Sequence, residues 1–431
     1  MSLINKKFLS DIRLNYLVQA LNVCFGFFTI TIVIKHSDIN VYGMLTIIMA
    51  VGATLTNFIG FRTNEAVVRY FKRGILKNNR ELQFFSLVAG SIIDVTIGVL
   101  TLIIMHFFAG VIAFYLLKDS VQIEAVELYS ILVAQMFLRS TGYGILTAKE
   151  RFKQISIISA LEQMIKMIIF GCGALVLYEF QLDDIMILML IAALPFTVFF
   201  LYVLSEELSR PPIRRWLRAR WFNHYLRFSL STFSSSILKS GHKNLDELVL
   251  GYYSNSATVG IYNLFKKFIA PLSMLATPYA SQIYPKFVEA FSNQSIEAVQ
   301  STIQKGSRTL TIHGCLIMLP ILPVAYMYFS WNKIDVSKTE YIAFFILLFS
   351  SFILQRLWWA RSFSLATKPQ LSIAANAIAL VATCVVLPIL ISLFSGILGV
   401  VISIFIINIY LHLFWIRQLH KYESNLLQTS H

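Results

Sequence analysis

Charged side chains inside long apolar runs are the residues of this sequence with most potential for chemistry. The cations in these runs are Arg139, Lys166, Lys239, Lys243, Lys266, Lys267, Arg356 and Arg361, and the anions are Asp94, Glu162, Asp246 and Glu247. A charge in an apolar medium is costly unless it has a partner or faces water. Because cations are in excess, we expect the runs to enclose a hydrated, net-positive cavity that suits an anion.

These charges divide into candidate roles. The candidates for contact with an anion are Arg139, Arg356, Lys239, Lys243, Lys266 and Lys267. Asp94 and Asp246 are candidates for ion coupling or gating, and a hydrogen-bonded packing role for Asp94 stays open. Some charges could instead neutralise each other within one helix, since Glu162 precedes Lys166 by four residues. We expect no catalytic residue, metal site or cofactor.

The elements that position these charges are membrane-spanning helices. Of 431 residues, 57% are hydrophobic and 13% charged, whereas soluble domains carry about 25% charged residues. Helices are the expected element because lipid leaves only helices or closed barrels, and alternating strand patterns are absent. The sequence predicts an all-α polytopic membrane protein with about twelve spans, at 13–34, 40–61, 84–106, 122–147, 154–178, 185–205, 225–250, 257–281, 307–330, 341–366, 371–392 and 397–416.

The distribution of basic residues predicts the orientation of these spans. With the N-terminus inside, cytoplasmic segments hold 22 Lys and Arg residues, against four on the opposite side. Cytoplasmic loops carry the Lys and Arg excess in membrane proteins. We expect both termini in the cytoplasm. The net charge of +14 then reflects membrane topology and does not indicate a nucleic-acid partner.

The chain is expected to form two six-helix lobes, 1–205 and 225–431, joined by a cytoplasmic amphipathic connection at 206–224. A repeat with an offset of 217 residues supports the lobes: it relates Ser37 to Ser254, Gly43 to Gly260 and Arg139 to Arg356. An even number of spans per lobe makes the repeat parallel, related by a pseudo-two-fold axis along the membrane normal. Chance similarity between apolar helices is the alternative.

One helix face in the first span is polar. Asn15, Gln19, Asn22, Gly26 and Thr29 recur at helical spacing, which aligns them on one side. This pattern predicts a hydrated cleft lined by the first span and its repeat equivalent, the seventh. Nucleotide-binding and hydrolase motifs are absent from the sequence, so an ion gradient or the substrate gradient is the expected source of energy.

The stretch Asp246-Glu-Leu-Val-Leu-Gly251, continuing to Val259-Gly260-Ile-Tyr262, resembles polysaccharide-repeat-unit (O-antigen type) flippases. Val41-Tyr-Gly43 and Leu146-Thr-Ala-Lys-Glu-Arg151-Phe152 are similar to the same proteins. These belong to the multidrug/oligosaccharidyl-lipid/polysaccharide exporter superfamily. The resemblance implies a MATE-like V of two lobes and alternating access.

The resemblance also implies a bacterial inner-membrane location and a substrate, an undecaprenyl-pyrophosphate-linked oligosaccharide moved to the outer leaflet for O-antigen, lipopolysaccharide, capsule or exopolysaccharide synthesis. Membrane lipids, a proton or sodium gradient, a polysaccharide polymerase and a chain-length regulator are candidate partners. Alternatives are a multidrug or ion antiporter of the same fold, a peptidoglycan-precursor flippase, and a membrane-embedded polymerase or ligase. The short external loops argue against the last, because such enzymes need a large external loop.

Overall fold

The fold is taken from a computed structural model that describes residues 2–209, 222–230, 244–292, 296–368, 370–394 and 396–429. All regular elements in these ranges are helical, which confirms the predicted all-α class. Within these ranges, ten helices are long and apolar enough to cross a membrane, at Leu17–His36, Ile39–Ile59, Arg80–Leu117, Ser120–Ala148, Phe152–Val176, Leu182–Leu208, Glu297–Trp331, Lys338–Ser364, Gln370–Leu393 and Ile397–Tyr422. The chain is a multi-pass membrane protein.

These ten segments agree with ten of the predicted spans. The predicted eighth span lies in one long continuous helix, and the predicted seventh falls partly on 231–243, outside the described residues. Residues 106–118 extend the third span, because its helix continues to Ile112 and is followed directly by one turn of π-helix, Ala113–Leu117. Most of the amphipathic connection, 210–221, also lies outside the described residues.

The chain divides into two compact units, Met1–Asn244 and Leu245–His431. The helices of the first unit are α1 (Ser2–His36), α2 (Ile39–Ile59), α3 (Thr63–Leu76), α4 (Arg80–Ile112), α5 (Ile123–Leu138), α6 (Ser140–Ala148), α7 (Phe152–Val176), α8 (Leu182–Leu208) and α9 (222–230). The helices of the second are α10 (Leu245–Tyr253), α11 (Ser256–Ser292), α12 (Ile296–Trp331), α13 (Lys338–Gln355), α14 (Ala360–Ala366), α15 (Gln370–Leu393) and α16 (Ile397–Thr429).

Helix starts follow from local capping groups. The Asp38 carboxylate accepts the Val41 amide at the start of α2, and the Asn79 side chain accepts the Leu82 amide at the start of α4. At α13, Ser337 and Glu340 bond each other's backbone amides in a capping box. Such bonds satisfy amides that have no partner within the helix, and a cap contributes about 1 kcal/mol.

The first unit is held by an apolar core between short and long helices. Phe71 of α3, Leu87 of α4, Ile145 of α6 and Leu204 of α8 belong to one buried cluster. A second cluster places Tyr225 of α9, which is fully buried, against α3 and α4. The predicted lobe limits at 205 and 225 stay a prediction.

The outer face of α4 shows how such a core coexists with lipid. Ile92, Val99, Ile103 and Phe107 recur at helical spacing and are between 47% and 77% exposed. The opposite face of the same helix is buried. A helix that is apolar on both faces suits a position between protein and acyl chains.

The second unit has an aromatic core. Phe265 of α11 stacks on Phe344 of α13 with ring centroids 4.6 Å apart. A further buried cluster contains Phe287 of α11, Trp358 and Trp359 after α13, and Trp415 of α16. Because lipid is itself apolar, these rings stabilise the unit through van der Waals packing between helices.

In the part of the chain that the structure describes, spans 4 and 10 are interrupted, and each interruption begins at an arginine. Span 4 consists of α5 and α6, which meet at Arg139, and span 10 consists of α13 and α14, separated by 356–359. The two arginines are 217 residues apart, the offset of the sequence repeat. The repeat-equivalent spans therefore share a local feature in addition to a sequence match.

Candidate functional site

The interruption at Arg139 is stabilised by a carboxylate from a neighbouring helix. Asp94 of α4, 2% exposed, accepts the Thr141 backbone amide at 2.9 Å and the Thr141 hydroxyl at 2.6 Å through Oδ2. In an uninterrupted helix, the Thr141 amide would donate to the Phe137 carbonyl. A side chain inserted into the ladder is a recognised cause of helix breaks, and a carboxylate is favourable at a helix start.

The Arg139 side chain is fixed by three hydrogen bonds. Its Nη1 donates to Glu162 Oε1 of α7 at 2.6 Å, its Nε to the Thr197 hydroxyl at 2.9 Å, and its Nη2 to the Ala193 carbonyl at 2.7 Å. The arginine side chain is 11% exposed and that of Glu162 is 34% exposed. The guanidinium is thus oriented by α8 and neutralised from one side by α7.

This ion pair lies in the wall of two cavities of the first unit. Arg139 and Glu162 line a cavity of about 680 Å³ with Gln19 and Asn22 of α1 and Ser159 of α7. They also line a cavity of about 430 Å³ that contains Lys166 and Gln163. The larger cavity has room for several waters or a polar ligand group.

The polar stripe predicted for α1 contributes to the larger cavity. Gln19 and Asn22 both line it, and the Asn22 amide donates to the Ser159 hydroxyl at 3.1 Å. Asn57 and Asn64, at the end of α2 and the start of α3, add further amide groups. Besides the Arg139–Glu162 pair, the cavity thus offers amide and hydroxyl groups that can hydrogen-bond an anionic or sugar group.

In the second unit, a buried cluster surrounds Lys266 of α11. Its ammonium Nζ lies 2.9 Å from Asp246 Oδ2 and 2.9 Å from Glu247 Oε1, both of α10. The Tyr262 hydroxyl donates to Asp246 Oδ2 at 2.5 Å, and the Asn263 amide donates to Glu247 Oε1 at 2.8 Å. Both carboxylates are at least 93% buried by residue. Lys266 is therefore neutralised within its own unit.

The remaining predicted cations differ in their surroundings. Lys267, the next residue on α11, is exposed. Arg356 is also exposed and lines a cavity of about 680 Å³ with Arg308 and His420. Lys239 and Lys243 lie outside the described residues.

The structure therefore groups only some of the predicted site residues. Arg139 shares a cavity with the α1 stripe, while Asp94 holds the adjoining backbone, and Asp246 and Lys266 bond each other directly. Sequence reasoning missed the cross-helix pair of Arg139 and Glu162, because helical spacing reveals partners on one helix only. Arg308 is not among the predicted site residues, since it lies close to the end of the predicted span 307–330.

A second charged cluster of the first unit went unnoticed in the sequence. The Glu207 carboxylate, 5% exposed, contacts the Lys149 ammonium and lies 3.3 Å from Arg80 Nη1. These residues come from the ends of α8 and α6 and the start of α4. Their proximity could have been anticipated from the sequence, since all three residues flank predicted spans on the side assigned to the cytoplasm.

Known proteins include a family that matches this chain and solved structures that share its fold. A family model described as polysaccharide biosynthesis protein matches residues 8–291, more than half of the chain. Searching the curated proteins finds no match.

Solved structures share the fold over nearly the whole chain. An inward-facing multidrug resistance MATE family transporter of the MOP superfamily has a TM-score of 0.75 at 13% identity, covering 97% of this chain and 100% of that one. The lipid II flippase MurJ, in an inward closed conformation, has a TM-score of 0.69 at 13% identity, with coverage of 97% and 91%. A MOP superfamily transporter from Pyrococcus furiosus, described by a binding pocket of reversed polarity, has a TM-score of 0.63 at 15% identity, with coverage of 96% and 94%.

At these identities the structural likeness establishes the fold alone, and that fold is the one implied by the sequence resemblance. The family match carries the assignment further, because it extends from α1 through α11. The chain belongs to the polysaccharide biosynthesis protein family, with the fold of the multidrug/oligosaccharidyl-lipid/polysaccharide exporter superfamily.

Proposed function

We propose that this protein is a transporter that moves undecaprenyl-pyrophosphate-linked oligosaccharides from the cytoplasmic to the outer leaflet of a bacterial inner membrane. Transport proceeds by alternating access and feeds the synthesis of O-antigen, capsule or exopolysaccharide. The family match supports a role with polysaccharide, and the fold is shared with a protein described as a lipid II flippase.

The observation that carries this proposal is the Arg139 guanidinium held at the wall of a polar cavity. Three hydrogen bonds fix its orientation, so little side-chain freedom is lost when an anion binds. The three bonds engage the Nε hydrogen and one hydrogen on each terminal nitrogen, which leaves two Nη hydrogens that can donate to phosphate oxygens. Amides of Gln19, Asn22 and Asn64 in the same cavity suit sugar hydroxyls.

The lipid part of such a substrate needs no polar path. Its tail stays among acyl chains, while the diphosphate and sugars cross through water. The protein then acts as a carrier without catalytic chemistry, driven by a proton or sodium gradient or by the substrate gradient. A polysaccharide polymerase and a chain-length regulator are the proposed partners in the membrane.

A second candidate function is a multidrug or ion antiporter. Glu162 lines both cavities of the first unit, and a carboxylate there could hold a cationic compound. A transporter described by multidrug resistance has the same fold. The Arg139 bond to Glu162 neutralises that carboxylate, and Arg62 in one cavity and Lys166 in the other leave an excess of positive charge, which disfavours a cationic substrate.

The decisive experiment is deletion of the gene in its native host, complemented by variants. We expect the deletion to abolish surface polysaccharide and to leave lipid-linked repeat units accumulated on the cytoplasmic side. The wild type and Arg73→Gln should restore export, since Arg73 is exposed at the end of α3, whereas Arg139→Gln should not. Normal surface polysaccharide in the deletion strain, with no second transporter present, would refute the assignment. Sensitivity to cationic drugs with normal polysaccharide would favour the antiporter.

The proposed orientation has its own test. Single cysteines at Lys35 and Lys338 should react with a membrane-impermeant thiol reagent added to intact spheroplasts. A cysteine at Lys77 should react only after the membrane is opened. The native cysteines, which are free, are first replaced by serine. The reverse pattern would overturn the orientation.

A further inference from the structure

A polar stripe runs along the first half of α12 in the second unit. Gln300, Gln304, Ser307, Arg308 and Thr311 recur at spacings of three and four residues, which places them on one face of the helix. All five line the same cavity of about 680 Å³. None belongs to the residues assigned to transport above.

Two other elements complete this cavity. Arg356 comes from the interruption of span 10, and Leu419 and His420 come from the last third of α16. The interruption is anchored on α12, because the Trp358 indole Nε1 donates to the Ser307 hydroxyl at 3.2 Å. Arg356 is thus held near Arg308 by the packing of the break.

The charge of the cavity is positive. Its lining includes two guanidinium groups and an imidazole but no aspartate or glutamate. Among the described residues, neither Arg308 nor Arg356 forms an ion pair with a carboxylate. Two arginines with amide and hydroxyl groups nearby form a donor set that matches the oxygens of a phosphate.

An apolar stripe continues directly from the polar one. Ile312, Leu316 and Leu319 follow Arg308 at intervals of four, four and three residues, and they are 53%, 61% and 73% exposed. One face of α12 therefore changes from cationic to apolar in the direction of the membrane centre. A ligand that covers both parts has a charged head and a hydrocarbon tail.

The position of the cavity agrees with such a ligand. It lies where α12 begins and α16 ends, and in the orientation proposed above this end faces the cytoplasm. Basic pockets between membrane helices on this side bind the head groups of anionic lipids. We propose that the Arg308–Arg356 cavity binds the phosphate of an anionic phospholipid of the cytoplasmic leaflet, with an acyl chain along the Ile312–Leu319 face.

The test uses the full chain purified in a neutral detergent, with lipid retention measured by native mass spectrometry. Phosphatidylglycerol should be retained over phosphatidylcholine of the same chains. The double variant Arg308→Gln/Arg356→Gln should weaken retention by about tenfold or more. Each substitution removes a charge-assisted hydrogen bond to the phosphate, and the loss of one such bond alone lowers affinity by about tenfold. Arg361→Gln, which removes an exposed cation five residues from Arg356, should behave as the wild type.

Competition identifies the source of the phosphate. Inorganic pyrophosphate should not displace phosphatidylglycerol at equal concentration, because it lacks the tail. Displacement by pyrophosphate alone, or stronger retention of undecaprenyl phosphate than of phosphatidylglycerol, would overturn the phospholipid assignment. Equal retention by the wild type and the double variant would overturn the site. Should the double variant not purify, Arg308→Lys and Arg356→Lys, which keep the charge and lose the bidentate geometry, provide the graded comparison.

These readouts are independent of polysaccharide export. Loss of phospholipid retention with export intact separates this site from the transport path. Failure of the export experiment would leave the retention result standing.

Discussion

Arg139 and Arg356 lie at equivalent interruptions of spans 4 and 10, yet among the described residues only Arg139 bonds a carboxylate. Its partner Glu162 corresponds, at an offset of 217 residues, to Ala379, which is 2% exposed. The two units thus keep the same arginine in the same backbone context but in different electrostatic surroundings. In the first unit the cation is oriented and neutralised, and in the second it faces an open cavity.

Substitutions in the Arg139–Glu162 pair test whether Arg139 acts in transport or only stabilises the fold. Arg139→Gln should abolish export and lower the free energy of unfolding by about 2 kcal/mol, because it leaves Glu162 without its partner in a half-buried site. The double variant Arg139→Gln/Glu162→Gln should recover most of the stability, measured by thermal unfolding in detergent, and none of the export. Recovery of both by the double variant would assign Arg139 a structural role only.

Asp94 should act through the start of α6. Asp94→Ala removes the acceptor of the Thr141 amide and should lower the free energy of unfolding by about 1–2 kcal/mol. The measurement is a double-mutant cycle with Thr141→Val, in which a coupling of about 0.5–3 kcal/mol is expected for residues in direct contact. Additive effects of the two substitutions would contradict the capping role, and loss of transport with unchanged stability in Asp94→Asn would instead assign ion coupling.

Adjacent lysines of α11 should differ sharply on substitution. Lys266→Met leaves two buried carboxylates without their cation and should destabilise the protein by about 3–5 kcal/mol. Lys267→Met removes an exposed charge and should change stability by less than about 1 kcal/mol. Adding Asp246→Asn and Glu247→Gln to Lys266→Met should recover stability in thermal unfolding. Similar losses for both lysines would refute the geometry of the cluster.

Two helix glycines test the packing of the first unit. A Cβ at Gly142 of α6 would lie 2.6 Å from the Phe200 carbonyl oxygen, so Gly142→Ala should cost about 1–3 kcal/mol by forcing α6 away from α8. A Cβ at Gly171 of α7 would meet nothing within 4 Å, and Gly171→Ala should be neutral or stabilising by up to about 1 kcal/mol. Thermal unfolding of the two variants in the same detergent gives the comparison, and equal destabilisation would contradict the close contact of α6 and α8.

The sequence predicted those features that depend on one helix at a time. Apolar length gave the spans, and the spacing of Gln19 and Asn22 predicted a polar face that the structure places in a cavity. The offset between Arg139 and Arg356 predicted equivalent positions, and the two interruptions agree with it. Each of these signals is local or periodic, so it can be read without knowledge of which helices touch.

Partners between helices could not be predicted in this way. Lys266 has no carboxylate within a helical turn on α11, and its partners Asp246 and Glu247 come from α10. The interruption at Arg139 contains no proline, and its cause, Asp94, is 45 residues away in the sequence. Such contacts are set by how the helices pack, and packing of apolar helices leaves little trace in composition.

The interruption of span 10 also changes the helical phase. Four backbone amides donate to the carbonyl three residues earlier instead of four: those of Arg356, Leu357, Trp358 and Ala360. The chain therefore turns by about 120° per residue there instead of 100°. Ile342, Phe345 and Phe349 form the exposed face of α13, and an unbroken helix would extend that face to Ala360 and Phe363. Those two residues are instead 5% and 1% exposed. These four tighter turns thus rotate α14 by about 80° relative to an unbroken continuation of α13. The span can therefore present lipid-facing side chains before the break and core side chains after it.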